Sequence, residues 1–204
     1  MRSFLIKLRK DYLMQNRMND IPELYQNVER LLRVAKLPEV FYKKKSKGIR
    51  HTFGVVPFCF VYQRPPALSS ISKKKPELYR ALRELGDKIV PFAYDAITVN
   101  INNQMGPHKD KHNNGDSVIV TGGDYTGGAL VVEGVPQETR YTPICFNGAE
   151  REHWVEPFQG FRYSLIFYKT IILDKFLELF PGDANDPLRE YSLMDIEDGV
   201  ALSE

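Results

Sequence analysis

A chain of 204 residues and 23.5 kDa, 43% hydrophobic and 26% charged, fits one domain with a substantial core and excludes wholesale disorder. Its longest apolar stretches, residues 164–168 and 171–173 split by Lys169, fall far short of the ~20 residues that a bilayer helix needs. The net charge of +2 conceals an asymmetry: residues 1–88 carry 20 Lys and Arg against 8 Asp and Glu, whereas the remainder carries 8 against 18.

The first ten residues hold too short an apolar run for a signal peptide. Asp20-Ile-Pro-Glu23 predicts a helix start, and Leu24, Tyr25, Val28, Leu31, Leu32 and Ala35 repeat at helical spacing until Pro38. Lys43-Lys44-Lys45-Ser46-Lys47 and Lys73-Lys74-Lys75 lie beside turn-forming residues, outside the periodic segments. With Arg64 and Arg83 they suggest a polyanion-binding half, nucleic acid being the commonest partner; solvated lysine loops are the alternative. His51 reads as a surface or nucleic-acid contact. Residues 52–63 are aromatic and β-branched, and a second helix is predicted from Pro76, with Leu78, Leu82, Leu85 and Ile89 on one face.

Beyond Phe92 the period becomes that of strands. Short runs at Ala96–Asn100, Ser117–Thr121, Ala129–Glu133, Tyr141–Phe146, His153–Glu156 and Phe161–Thr170 are separated by Gly, Asn, Asp and Pro. Six strands after two helices predict an α+β chain whose second half is a β-sandwich or barrel. Gly127-Gly128 reads as a turn between strands, Cys145 as a buried strand residue, and Trp154 as packing. Residues 173–180 could add one more helix before an acidic tail at 183–204. The expected organisation is a single catalytic domain over 1–182, in which a basic helical and loop segment at residues 1–91 packs on a core at 92–172. Two cysteines, Cys59 and Cys145, make no disulfide framework, so an intracellular location is expected, nuclear in a eukaryote and cytoplasmic otherwise.

His108-Lys-Asp110 places an imidazole and a carboxylate on the same side of an extended segment, where both can reach one ion. His153 is the downstream imidazole that would complete the two-His, one-carboxylate set of non-haem Fe(II) oxygenases, which leaves positions open for co-substrate and oxygen. In Phe161–Tyr168, Arg162, Ser164, Ile166 and Tyr168 share one face. An Arg heading such a face is costly unless it meets an anion, either a structural Asp or Glu or the far carboxylate of a metal-bound keto acid.

His108-x-Asp110, His153 and Arg162-x-Ser164 together resemble the signature of Fe(II)/2-oxoglutarate dioxygenases. The resemblance implies a double-stranded β-helix (jelly-roll, cupin-like) core with flanking N-terminal helices, Fe(II) on His108, Asp110 and His153, and 2-oxoglutarate on Arg162 and Ser164. Asn100-Ile-Asn102 resembles the strand that helps hold 2-oxoglutarate in several members. Within that superfamily, His108-Lys-Asp-Lys-His-Asn113, the Arg162-Tyr-Ser-Leu-Ile-Phe-Tyr168 strand and Gly123-Asp-Tyr-Thr-Gly-Gly-Ala-Leu130 look like the ten-eleven-translocation and J-binding-protein group. That group oxidises 5-methylpyrimidines in DNA. The resemblance spans about residues 96–170 and implies molecular oxygen as co-reactant, a flipped base, Asn113 on that base, and a base contact at Thr170, where animal members carry His. His112 is a further candidate contact, Lys43, Lys44 and Lys45 would meet phosphates, and a monomer is expected. The same chemistry on thymine, on an N-methylated nucleic acid or on a protein side chain stays open, as does a non-catalytic DNA-binding β-helix.

Overall fold

The computed structural model describes residues 21–39, 48–56, 67–111 and 113–170. The expectations for Lys43, Lys44, Lys45, His112, residues 173–180 and the acidic tail lie outside the described residues.

The helical repeat upstream forms α1 (Glu23–Val34), which starts directly after Pro22. It buries Tyr25, Val28, Leu31 and Leu32, while Leu24, expected on the apolar face, is exposed. A short α2 (Ser70–Lys74) is capped by the Ser69 hydroxyl, which accepts from the Ser72 amide. Next comes α3 (Pro76–Ile89), where Pro76 costs nothing at a first-turn position whose amide has no helical partner. It buries Leu78, Leu82 and Leu85, and each such side chain stabilises the fold by about 1.5–3 kcal/mol relative to an exposed one.

Eleven strands are described: β1 (Ile49–Val56), β2 (Ala67–Leu68), β3 (Ala96–Ile101), β4 (Asn113–Gly122), β5 (Tyr125–Gly127), β6 (Leu130–Val132), β7 (Val135–Gln137), β8 (Ile144–Phe146), β9 (His153–Val155), β10 (Phe158–Gly160) and β11 (Tyr163–Thr170). The large sheet runs β2-β1-β3-β11-β4-β8, and the small one β7-β6-β9. His108 adds to the small sheet through an antiparallel bridge to His153. From Ala96 onward the chain therefore alternates between sheets, with β3, β4, β8 and β11 in one and His108, β6, β7 and β9 in the other. Two four-membered sheets filled in this alternating order are a double-stranded β-helix of the jelly-roll type. β5 and β10 pair antiparallel as a separate two-stranded sheet.

Period-two alternation then divides every side chain of the large sheet between two layers. Tyr163, Leu165 and Phe167 of β11 point outward with Ile97, Val99, Val118 and Val120, and form one core with the helices. Asn100, Ser164 and Thr121 share a row on the inner face, as do Thr98, Ile166 and Ile119. Ile119, Leu130, Val132 and Phe146 fill the space between the sheets. Cys145, expected to be buried, is exposed because β8 is the edge strand of the large sheet. His51 falls in the outward row and its Nε2 lies 2.7 Å from the Pro38 carbonyl, so it holds the segment after α1.

Candidate metal centre and co-substrate pocket

The bridge between His108 and His153 is closed by two backbone hydrogen bonds of 3.0 Å, and it brings the imidazole centroids to 4.3 Å. Asp110 is fixed beside them by its amide, which donates to the Gly148 carbonyl at 2.8 Å. One donor atom from each of the three residues lies within 4.8 Å of the others. His108 Nε2 and His153 Nε2 each stand 3.6 Å from a different oxygen of Asp110.

Both imidazoles are oriented by the same local device. His108 Nδ1 lies 2.8 Å from the Gly106 carbonyl, and His153 Nδ1 lies 3.0 Å from the Arg151 carbonyl. A carbonyl only accepts, so Nδ1 carries the proton in each ring and Nε2 is left as a lone-pair donor toward Asp110. Hydrogen bonds of this kind fix the tautomer of metal-binding histidines. Burial lowers the His108 pKa. Burial also pulls His153 down, but the Asp110 carboxylate and the Arg151 carbonyl outweigh it and leave His153 raised. For Asp110, burial is overcome by His153, His108 and Arg50, which hold it below the usual carboxylate range. Neutral imidazoles and an ionised carboxylate are the forms that bind a metal.

Arg162 enters from the start of β11, 2% exposed, with Nε and Nη2 buried and lacking a hydrogen-bond partner among the described residues. The Tyr125 and Phe158 rings stand 5.4 and 5.5 Å from its guanidinium carbon. Gly128 at φ +71° leaves room for it, since a Cβ there would come within 3.1 Å of Arg162 Cδ and Nε. Burial lowers the Arg162 pKa, against an opposing pull from Tyr125, yet guanidinium stays protonated in proteins, so a buried cation with no acid partner among the described residues remains. Ser164 lies two residues on, on the same inner face. Its Oγ accepts from Asn100 Nδ2 at 3.2 Å, and Asn103 Nδ2 donates to Asn100 Oδ1 at 3.1 Å. With its lone pair engaged, the Ser164 hydroxyl keeps its proton to donate. A planar fork and a hydroxyl donor suit a carboxylate. The donor set thus fits Fe(II), and the orphaned guanidinium fits the far carboxylate of 2-oxoglutarate.

Three other expected site residues already have partners within the chain. Asn102, expected to help hold the co-substrate, is exposed at φ 50°, and its Oδ1 accepts from the Arg162 amide at 2.9 Å. It fixes the backbone of Arg162 where the chain leaves β3. Thr170, expected on the base, is buried and gives both its amide and its hydroxyl to Asp95, at 2.9 and 3.0 Å. Asn113 is buried as well, with Nδ2 donating to Ser117 Oγ at 3.0 Å and lying 3.5 Å from Asp110 Oδ2.

Asp95 has a consequence for stability. Burial lifts its carboxyl from 3.8 to about 6, against the two Thr170 hydrogen bonds that pull it down. A folded-state value above the unfolded one means that this stabilisation is complete below pH 3.8 and disappears as pH rises through about 6. Asp95→Asn keeps an acceptor for the Thr170 amide and removes the titration. Between pH 4 and 7, wild type is expected to lose ~3 kcal/mol of unfolding free energy that the variant retains, as read by urea unfolding at each pH. Parallel curves would show that Asp95 ionises normally.

The Tyr125 and Phe158 walls and the Asn103 relay carried no signal by spacing. They are set by the pairing of β5 with β10 and by the turn after β3.

No protein-family model matches the chain, and no curated protein does. Among solved structures it is similar to an oxidoreductase of the 2OG-Fe(II) oxygenase family from Burkholderia pseudomallei, at 20% identity and TM-score 0.44, covering 69% of this chain and 76% of that one. It is also similar to NgTET1 in complex with 5mC DNA, at 14% identity and TM-score 0.47, covering 74% and 69%. A prolyl-4-hydroxylase from Pseudomonas putida follows at 14% identity and TM-score 0.40, covering 72% and 84%. The strand order above carries the fold assignment independently of these likenesses.

Proposed function

We propose that the chain is an Fe(II)/2-oxoglutarate-dependent dioxygenase acting on the methyl group of a 5-methylpyrimidine in DNA, 5-methylcytosine foremost. The observation that carries the oxygenase reading is the buried, unpaired guanidinium of Arg162 in the barrel that also holds the three donors. Bound together, Fe(II), 2-oxoglutarate and molecular oxygen supply hydroxylation of an unactivated C–H bond, with succinate and carbon dioxide as co-products. His108, Asp110 and His153 hold the metal, and Arg162 and Ser164 fix the far end of the keto acid. The apolar lining of Leu130, Val132, Phe146 and Ile119 keeps water out.

The choice of DNA rests on the sequence resemblance and on the basic first half of the chain. A methylated base inside a duplex cannot reach a buried ion, so the nucleotide must be flipped, at a cost of a few kcal/mol. Lys43, Lys44 and Lys45 would meet phosphates. Asn113 Oδ1 makes no hydrogen bond among the described residues, and with Nδ2 held by Ser117 it suits an exocyclic amine. Cytosine offers such a group and thymine does not.

The test loads the protein with Fe(II) and 2-oxoglutarate without oxygen, adds methylated duplex, admits oxygen, and measures nucleosides and succinate. Hydroxymethylcytosine and succinate are expected in equal amounts, and neither with His108→Ala. Equal turnover by that variant would refute iron-dependent catalysis. Product formed only on methyladenine DNA, thymine DNA or a peptide would move the assignment to that substrate.

A further inference from the structure

Neither the metal ligands nor the keto-acid anchor accounts for one further cation on the barrel's inner face. Arg50 lies in β1 directly opposite Asn100, and residues so paired in an antiparallel ladder point to the same side. Arg50 therefore extends the inner row of Asn100, Ser164 and Thr121 by one strand. Beside it runs a second polar row, in which Thr52 Oγ1 is 3.4 Å from Thr98 Oγ1, itself 3.1 Å from the Tyr168 hydroxyl. Arg50 is half-buried and forms no salt bridge with an acid among the described residues. The row it joins carries Ser164 of the co-substrate anchor, and its charge helps to hold Asp110 below the usual carboxylate range.

The charges of the filled site make this position informative. A divalent ion, the Asp110 carboxylate, a keto-acid dianion and Arg162 already balance. Arg50 leaves one positive charge in a half-buried site, where an uncompensated cation is costly. One phosphodiester carries the missing charge.

We propose that Arg50 binds a backbone phosphate of the nucleic-acid substrate beside the metal centre, and so sets which nucleotide is presented to it. The inference rests on the nucleic-acid reading above but is tested without turnover. Arg50→Met and Arg50→Lys are compared with wild type, each loaded with Mn(II) and 2-oxoglutarate. Binding of a fluorescent oligonucleotide is followed by anisotropy over a range of salt, and keto-acid affinity is measured separately by calorimetry.

Arg50→Met is expected to weaken oligonucleotide binding about tenfold, equally for methylated and unmethylated strands, and to reduce the slope of log affinity against log salt by about 0.9. Arg50→Lys should restore the slope, and keto-acid affinity should stay within about twofold of wild type. Unchanged slope and affinity would overturn the assignment, as would a wild type that binds no oligonucleotide. A loss confined to keto-acid binding would make Arg50 a ligand of the co-substrate and overturn it too. If wild type binds DNA without oxidising it, the reaction proposed above fails, while the salt slope still decides the role of Arg50.

Discussion

Asp110→Ala is expected to abolish metal binding while leaving the barrel folded. The carboxylate is the one anionic donor of the cluster, standing 3.6 Å from each histidine Nε2. Removing an outer hydrogen-bond partner of a metal ligand costs about 10–100-fold in affinity, so loss of the ligand itself should exceed ~100-fold. Anaerobic titration with Fe(II), or with Mn(II) as a redox-inert substitute, reads this directly. Asp110→Asn should fall nearly as far, since it keeps the shape and loses the charge. Metal affinity within tenfold of wild type in either variant would remove Asp110 from the site. The backbone contact from Asp110 to Gly148 does not depend on the side chain, so thermal unfolding of the metal-free variant should stay close to wild type.

Arg162→Met is expected to move two properties in opposite directions. The guanidinium is buried with Nε and Nη2 unpaired among the described residues, a desolvation cost that the Tyr125 and Phe158 rings offset only in part. Replacing buried ionic groups by apolar ones of similar volume often stabilises by 1–4 kcal/mol, so a gain of ~1–2 kcal/mol is expected here. For a chain of this length that corresponds to roughly 2–8 °C in Tm. The co-substrate response should vanish at the same time. With Mn(II) present, 2-oxoglutarate at a hundred times its Kd should stabilise wild type by ~2.7 kcal/mol and the variant not at all. A residue with a purely structural role would lower Tm when replaced and leave the response to 2-oxoglutarate intact. Arg162→Lys should recover only a fraction of the response, because a single ammonium cannot reproduce the planar fork.

Much of this site is legible in the chain because its chemistry is local. His108 and Asp110 sit two apart, Arg162 and Ser164 likewise, and each pair's relative direction follows from extended backbone. The alternation of residues 161–168 separates the anchor face from Tyr163, Leu165 and Phe167, which are fully buried. The helix at 76–89 follows from its period and its proline. β5, β7 and β10 are largely exposed, so no apolar alternation marks them in the sequence. Leu24 shows the same limit, as helical spacing defines a stripe but not which edge of it a neighbouring element covers.

The amino-acid sequence alone determined which groups are available: two imidazoles, one carboxylate, a guanidinium and a hydroxyl, at spacings that let each pair share a direction. Tertiary structure decided which partner each group meets. Register placed Asp95 under Thr170 and Arg50 beside Asn100, although these partners are 75 and 50 residues apart in sequence. The physical reason is that a polar side chain is committed by whatever buried donor or acceptor lies within about 3 Å, and in a sheet that neighbour comes from another strand.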